Sequence, residues 1–294
     1  MDASNIESFN AAAMEAVNAM PAPTWHRLRV NNEKIALPGG LEPSSDIELS
    51  IDNIELGESG AFDSALSTFQ QKLDARNEGT VDTRAVVVAA VGNENPENLD
   101  IPALSSYQRK AVLEEIENSV SKAFETGMGT EAFAYLESVS DGHLLLVAPE
   151  KAVGSATVRI SAKDGMANAA CVDVVAAPHS NVSLTISFEG SSRGSGFAGC
   201  GLRVFAGVGA EVEVSSIQAL DGCWTVFDDS GYVLDDDAHV AVTHRVLGAD
   251  SASTGLSADL RGNQSRIDVV TRYLGAEKQK RDFNYSIKQR GCLT

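Results

Sequence analysis

The stretch Pro178-His-Ser-Asn-Val-Ser-Leu-Thr-Ile-Ser-Phe188 joins a cluster of turn residues to a strand in which apolar and polar side chains alternate. Similar segments recur along the chain, and their β-branched anchor residues stand 24, 30, 28 and 27 positions apart: Val158, Val182, Val212, Val240 and Ile267. A repeat of roughly 20 to 50 residues is typical of solenoids and arrays. With about two strands in each repeat, the sequence predicts a β-helix or a stacked sandwich, and a jelly roll with irregular loops stays open as an alternative.

The chain after Asp141-Gly142 is predicted to be all β. Short alternating runs follow one another at intervals of about 10 to 15 residues, with Gly, Asn, Asp or Pro between them. The predicted strands are His143–Ala148, Thr157–Ser161, Val172–Ala176, Val182–Phe188, Leu202–Ala206, Val212–Ile217, Trp224–Phe227, Val240–Val246, Arg266–Tyr273 and Phe283–Lys288. We therefore expect a β domain over residues 141–294.

Residues 1–140 have a different pattern, because their apolar side chains mostly recur three or four positions apart. The predicted helices cover 6–20, 62–73 and Ser105–Thr126, and the predicted strands cover Asp46–Leu56 and Arg84–Val91. The expected fold is thus mostly β, with a mixed α/β, largely helical N-terminal region over residues 1–140.

The chain is strongly acidic, with 41 acidic and 23 basic residues and a formal net charge of −18. Such a charge repels a phosphate backbone, so we expect no nucleic-acid partner. The charge is divided unequally, with a net −14 in residues 1–140 and −4 in residues 141–294. A cluster of basic side chains near the C-terminus is most simply a solvated rim.

Three further features bear on localisation. Met1 to Ala19 contains no basic residue, and the longest purely apolar run, Ala85–Val91, has seven residues. Export signals need a basic first region, and a membrane-spanning helix needs about 20 apolar residues. The four cysteines include no CxxC pair. We therefore expect a protein of the reducing cytoplasm with no membrane partner.

Two motifs suggest binding sites but have simpler interpretations. Gly194-Ser-Gly-Phe-Ala-Gly199 matches the GxGxxG dinucleotide fingerprint, yet the next residues predict a strand where that fingerprint needs a helix. A flexible Gly/Ser loop is expected instead. The aspartates of Asp228–Asp237 could bind calcium, but their spacing fits no EF-hand loop, so a solvated loop with a turn at Gly231 is expected.

Several segments together resemble one family in their order and spacing. The segments are Met20–Asn31 with its Pro-Thr-Trp stretch, His143–Ile160, Pro178–Gly190, Leu260–Gly275, Asp282 and Gln289-Arg-Gly291. They are similar to the SufB and SufD scaffolds of the SUF iron–sulfur assembly system, and the Pro-Thr-Trp stretch and the late segments are most like SufD. The resemblance covers residues 143–294 and about a dozen residues before them.

This resemblance implies a right-handed parallel β-helix behind a helical region, with no enzymatic activity of its own. It also implies a SufB/SufD-type partner, a SufC-type ATPase and an iron–sulfur cluster built transiently at a subunit interface. This chain stops at Thr294, whereas family members continue through further coils and C-terminal helices that carry their ligands and ATPase contacts. The sequence is thus expected to be truncated, as a fragment or a short relative, and its exposed last coil is expected to self-associate or to be capped by a partner.

No family ligand residue can be transferred to a position in this chain, so the metal candidates come from chemistry alone. Thiolate and imidazole suit iron, which makes Cys292, Cys223, His239 and His244 the residues to test. His239 and His244 are five residues apart and should face opposite sides of a strand. The alternative function is a β-helix protein-binding module without metal chemistry; a calcium-dependent carbohydrate enzyme is a third, weaker hypothesis.

Overall fold

A computed structural model of the chain describes residues 13–18, 33–36, 40–44, 46–58, 60–77, 124–191, 193–276 and 278–291. The chain divides into two compact units, residues 1–62 with 125–294 and residues 63–124. The described helices are α1 Ala61–Asn77 and α2 Thr130–Val139. The N-terminal strands are β1 Ala13–Val17, β2 Glu33–Ala36, β3 Glu42–Ser44, β4 Ile47–Asp52 and β5 Glu55–Leu56. The later strands are β6 His143–Ala148, β7 Val153–Ala162, β8 Met166–Ala176, β9 Asn181–Gly190, β10 Gly194–Ala206, β11 Glu211–Gln218, β12 Gly222–Leu234, β13 His239–Val246, β14 Ser251–Leu260, β15 Arg266–Tyr273 and β16 Lys280–Gln289.

Strands β6–β16 form a β-solenoid of about five turns from two parallel sheets. Even-numbered strands form sheet I in the order β16-β14-β12-β10-β8-β6, and odd-numbered strands form sheet II in the order β15-β13-β11-β9-β7. Antiparallel β5 and β4 extend the two sheets at their first coil, while β3 pairs with β8. This alternation of strands between two parallel sheets confirms the predicted β-helix and excludes the jelly roll.

The predicted repeat gives the true register over four of its five segments. Val182, Val212, Val240 and Ile267 are successive partners across β9, β11, β13 and β15. The first segment is displaced, because Gly154 pairs with Val182 and Val158 pairs with Ile186. The apolar columns in the solenoid interior therefore stack in the way that the sequence period predicted.

One corner of each coil is built in the same way every time. A residue with positive φ lies between the sheet I strand and the following sheet II strand, at Lys151, His179, Gly209, Asp237 and Gln264 with φ between 56° and 60°. The backbone N–H groups of the first four of these residues donate to the next coil, for example from His179 N to Val208 O at 2.8 Å. This bonding offsets the steric cost of the left-handed conformation in non-glycine residues.

Helix α2 packs on the outer face of sheet I, where glycines let it come close. A Cβ atom added at Gly199 would lie 2.3 Å from Cδ2 of Leu136, and one added at Gly201 would lie 2.9 Å from Phe133. Tyr135 of α2 meets Phe197 edge to face, with ring centroids 4.9 Å apart. The GxGxxG motif is therefore part of β10 and of the floor beneath α2, so the predicted flexible loop is wrong.

The N-terminal region is not largely helical in its described part. Residues 13–17 form strand β1, antiparallel to β2, where a helix over 6–20 was expected. The sequence has helical spacing there, but strand pairing with residues 33–36 prevails over this weak local preference. Helix α1 confirms the prediction over 62–73, and β4 with β5 confirms the strand prediction over 46–56. The segments 84–91 and 105–123 lie outside the described residues, and the division at residue 140 stays a prediction.

Two predictions in the β region are also corrected. Asp228 and Asp229 lie within β12 and are buried, and Gly231 continues that strand in pairing with Arg203. The predicted solvated loop is therefore wrong for these residues, since the chain does not turn until Asp235. Strand β14 was missed altogether, because its sequence is rich in Ser, Ala and Gly and shows no alternation.

Candidate functional site

One facing pair of residue columns in the solenoid interior changes from apolar to polar along the solenoid, within a core that is otherwise apolar. Facing inward in sheet I, a single column of register partners runs through Ala170, Cys200, Asp228 and Thr254. A matching column in sheet II runs through Ile186, Ser216, His244 and Thr271. The early coils are thus filled by apolar side chains, and the later coils enclose a buried polar cluster.

Asp228, Ser216 and His244 form the centre of this cluster. The Ser216 hydroxyl donates to Oδ2 of Asp228 at 2.7 Å, and Nδ1 of His244 lies 3.1 Å from the same oxygen. Because a carboxylate oxygen only accepts, Nδ1 of His244 carries the donated proton. Nε2 of His244 then has no hydrogen-bond partner among the described residues. The cluster therefore links the two sheets while keeping one imidazole nitrogen available for a further contact.

The polar cluster continues to the last coil of the solenoid, residues 261–291, which contains strands β15 and β16. The His244 ring stacks on Tyr285, with ring centroids 6.0 Å apart and an interplanar angle of 18°. The hydroxyls of Tyr285 and Thr271 are hydrogen-bonded to each other. Tyr285 is 37% exposed, whereas His244 is buried. The cluster thus connects the buried Cys200 position with the accessible end of the solenoid.

The cysteines differ in their capacity to bind metal. Burial raises the pKa of Cys171 to about 12 and raises the pKa of Cys200 well above its usual value. Both thiols are therefore protonated at neutral pH and are poor ligands in this conformation. Cys223 is exposed at the start of β12, and Cys292 lies outside the described residues.

The predicted histidines lie on opposite faces of β13, as their spacing indicated. His239 is on the outer face of sheet II, with Nε2 2.9 Å from Oδ2 of Asp268, while His244 is inside the solenoid. Across the residues that the structure describes, no three His, Cys, Asp or Glu side chains gather closely enough to hold a metal ion. The four metal candidates stay predictions.

The last coil combines exposed apolar side chains with positive charge. Strands β15 and β16 each pair with one neighbour among the described residues. Tyr273 and Leu274 are 60% and 65% exposed, and Ile287 is 46% exposed although its side faces the solenoid interior. Residues 261–291 carry eight basic and three acidic side chains, a net +5 in a chain of −18. Exposed apolar area of this kind is typical of an interaction surface.

A comparison with protein families identifies this architecture. Residues 158–294 match the family model described as SUF system FeS cluster assembly, SufBD core domain. These residues are therefore identified as a SufBD core domain of the SUF system. No curated protein and no solved structure gave a significant match. The SufBD core implies a role in iron–sulfur cluster assembly by the SUF system.

The SufBD core match places both features of the candidate site inside the family domain. It begins within β7 and includes the buried polar cluster and the last coil. Helix α2 and the N-terminal strands precede it. No described helix is long and apolar enough to cross a membrane.

Sequence reasoning missed Asp228 and Ser216 as partners of His244. The available signal was parity, since Asp228 lies an even number of residues from Trp224 and Val226, which are buried in the core. Extending the predicted strand 224–227 forward would have placed Asp228 inside. Because a turn was predicted at Gly231, the predicted strand ended at Phe227 and did not include Asp228.

Proposed function

We propose that the chain is a non-enzymatic scaffold subunit of the cytoplasmic SUF assembly complex. In this role it pairs with a SufB/SufD-type subunit, or with a second copy of itself, and works with a SufC-type ATPase. The iron–sulfur cluster is cargo that is assembled transiently at the subunit interface. The observation that carries the proposal is a SufBD core whose last coil exposes apolar side chains and strand edges that have no partner strand among the described residues.

The last coil has the chemistry of a docking surface. Unpaired strand edges present N–H and C=O groups that another strand can pair with. Ile287 and Tyr273 add apolar area beside these edges, and nearby lysines favour a partner with acidic side chains. A partner docking there would also cover Tyr285 and enclose the buried polar cluster.

Cys223 is the described thiol best suited to contact iron or sulfide. It is exposed, whereas the burial of Cys171 and Cys200 keeps their thiols protonated. Thiolate ligands are preferred by iron–sulfur clusters. His244 is a second candidate through its unpaired Nε2, once the last coil opens or is remodelled by a partner.

The test is anaerobic affinity purification of the chain from its own cells, followed by native mass spectrometry and iron and sulfide analysis. We expect an ABC-type ATPase and a SufB/SufD-type subunit, or a second copy, to accompany it. Ile287→Lys should abolish this association, because it places a charge on the apolar end of the last coil. Val153→Lys is the matched control, since Val153 is 70% exposed at the opposite end of the solenoid.

The metal candidates are tested in the same cells by cluster maturation. Alanine variants of Cys223, Cys292, His239 and His244 are compared, and loss of maturation is expected in at least one. Normal maturation in all four variants would overturn the assignment of these residues. Recovery of the chain alone, without ATPase, partner, iron or sulfide, would favour a β-helix protein-binding module instead.

A further inference from the structure

His143 lies at the start of β6 between two carboxylates from different elements. Its Nε2 is 2.9 Å from Oε1 of Glu137 on α2, and its Nδ1 is 3.1 Å from Oδ2 of Asp173 on β8. An ionised carboxylate can only accept a hydrogen bond, so both contacts are hydrogen bonds only when both ring nitrogens carry protons. The protonated imidazole thus ties α2 to sheet I, and the neutral ring can keep one of the two bonds.

Arg203 is the other charged group that faces this imidazole. Its guanidinium makes two hydrogen bonds to Asp173, at 2.7 and 2.6 Å, and one of its nitrogens is 3.5 Å from Nδ1 of His143. It also lies over the rings of Phe62 and Phe133, at 4.6 and 5.9 Å from their centroids. The Arg203 guanidinium keeps its positive charge at all working pH values. His143 is therefore the group that changes its protonation state near neutrality.

Hydrogen bonding to Asp173 is the main cause that raises the pKa of His143, with a further contribution from Glu137. Burial and the positive charge of Arg203 oppose this shift. The thiol of Cys171, the register partner of His143, is buried and protonated at these pH values, so it adds no charge.

The contact between His143 and Glu137 holds the C-terminal end of α2, which covers part of the outer face of sheet I. Beneath α2 lie Phe197, the Gly199 floor and the Cys171 thiol. Ser140 follows α2 directly, and its side chain lowers the pKa of that thiol against the larger effect of burial. Movement of the helix end would therefore uncover Cys171 before it disturbed the solenoid interior.

We propose that α2 is a pH-sensitive cover on sheet I, held closed by doubly protonated His143 and loosened when this residue loses a proton. The direction of the pH effect follows from the linkage between protonation of His143 and closure of α2. A histidine that is more basic in the closed state stabilises closure at low pH, and this stabilisation is lost as the pH rises through the closed-state pKa. The opening equilibrium then grows tenfold for each unit by which the closed-state and open-state pKa values differ.

The first test is hydrogen exchange of the α2 amides in the full chain between about pH 5 and about pH 9, corrected for intrinsic exchange. We expect protection of Thr130–Val139 to fall as the pH rises, and His143→Gln to abolish this dependence. His239→Gln is the matched control, because within the described part of the chain His239 contacts one carboxylate, Asp268, on the accessible outer face of sheet II. Unchanged wild-type protection across the range would overturn the proposal, as would an unchanged pH profile in His143→Gln.

The second test separates the switch from general loosening. An NMR titration should give a lower pKa for His143 in Glu137→Gln, and the same variant should shift the exchange midpoint by an equal amount. Pulsed alkylation should show Cys171 reacting faster relative to the exposed Cys223 above the midpoint. A midpoint that does not follow the measured pKa, or a constant reactivity ratio, would contradict the proposal.

Discussion

The two sheets of the solenoid have the same parallel pairing, but their outer faces differ. In sheet II, strands β9, β11 and β13 alternate between buried and accessible residues. In sheet I, strands β8, β10, β12 and β14 are buried on both faces over most of their length. The difference arises because α2 and residues 125–129 cover sheet I, whereas the outer face of sheet II stays accessible.

The outer face of sheet I accommodates its cover through glycines and buried hydrogen bonds. A Cβ atom added at Gly255 would lie 2.3 Å from the backbone nitrogen of Met128, so the covering segment touches the sheet backbone. The Met128 N–H donates to Oδ1 of buried Asp229 at 2.8 Å, and the Gly127 N–H donates to Ser230 O. Sheet I is thus specified by glycines and buried polar bonds, and sheet II by alternation alone.

The largest expected effect concerns the buried link between the sheets. His244→Ala removes the partner of Asp228 and leaves a buried carboxylate poorly compensated, which should lower the unfolding free energy by about 3 to 5 kcal/mol. His239→Ala, on the accessible face of the same strand, should change it by about 0.5 kcal/mol. Chemical denaturation of both variants measures the difference. Equal losses would refute the contrast between inner and outer faces.

The next effect is a pH dependence from the covered face of sheet I. Burial raises the pKa of Asp229 to about 7, so the folded chain keeps a proton that the unfolded chain releases near pH 4. Stability should therefore fall as the pH rises from about 4 to about 7, by up to about 4 kcal/mol, and level off above this range. Asp229→Asn should remove this part of the slope. Exposed Asp221→Asn is the control, and an identical slope in Asp229→Asn and wild type would disprove the assignment.

A smaller effect is expected where the cover meets the sheet. Gly255→Ala places a methyl group against Met128 and should destabilise the chain by about 1 to 3 kcal/mol through overpacking. Thr243→Ala, at the centre of the accessible face of sheet II, should change stability by about 0.5 kcal/mol or less. Thermal unfolding of the two variants provides the comparison. A well-tolerated Gly255→Ala would mean that residues 125–129 do not rest on the sheet backbone.

The smallest effect belongs to the charged rim of sheet II. Arg159 contacts Glu48 at 3.2 Å and Glu189 at 3.6 Å, and all three side chains are accessible. Arg159→Ala should change the unfolding free energy by less than about 1 kcal/mol, with the loss reduced further by salt. Denaturation at low and high ionic strength measures it, and a loss comparable with that of His244→Ala would be inconsistent with an accessible face.

The contrast also explains how much of the fold was predictable. Sheet II alternates, and the repeat of Val182, Val212, Val240 and Ile267 gave its register directly. Strands of sheet I were found only in part, since a strand buried on both faces has no alternation to detect. Strand β14 was missed for this reason, and β10 was shortened because its glycines resemble a loop.

The candidate site was less predictable than the fold. The opposite faces of His239 and His244 followed from their spacing, and the metal roles assigned to them and to Cys223 stay predictions. The hydrogen bonds of Asp228 with Ser216 and with His244 join residues 12 and 16 positions apart on different sheets, and no local pattern encodes which inward positions meet across two sheets. The contacts of Asp173 with His143 and Arg203 likewise depend on the register between β6, β8 and β10.

Our central proposal is that the last coil is the surface on which partner subunits dock. Cross-linking mass spectrometry of the anaerobically purified complex tests it with lysines that the chain itself provides. Lys278, Lys280 and Lys288 lie on or beside β16, whereas Lys151 and Lys163 lie near the first coils. The account predicts that cross-links to other subunits come from the last-coil lysines. Inter-subunit cross-links confined to Lys151 and Lys163, or none from the last coil in an intact complex, would contradict it.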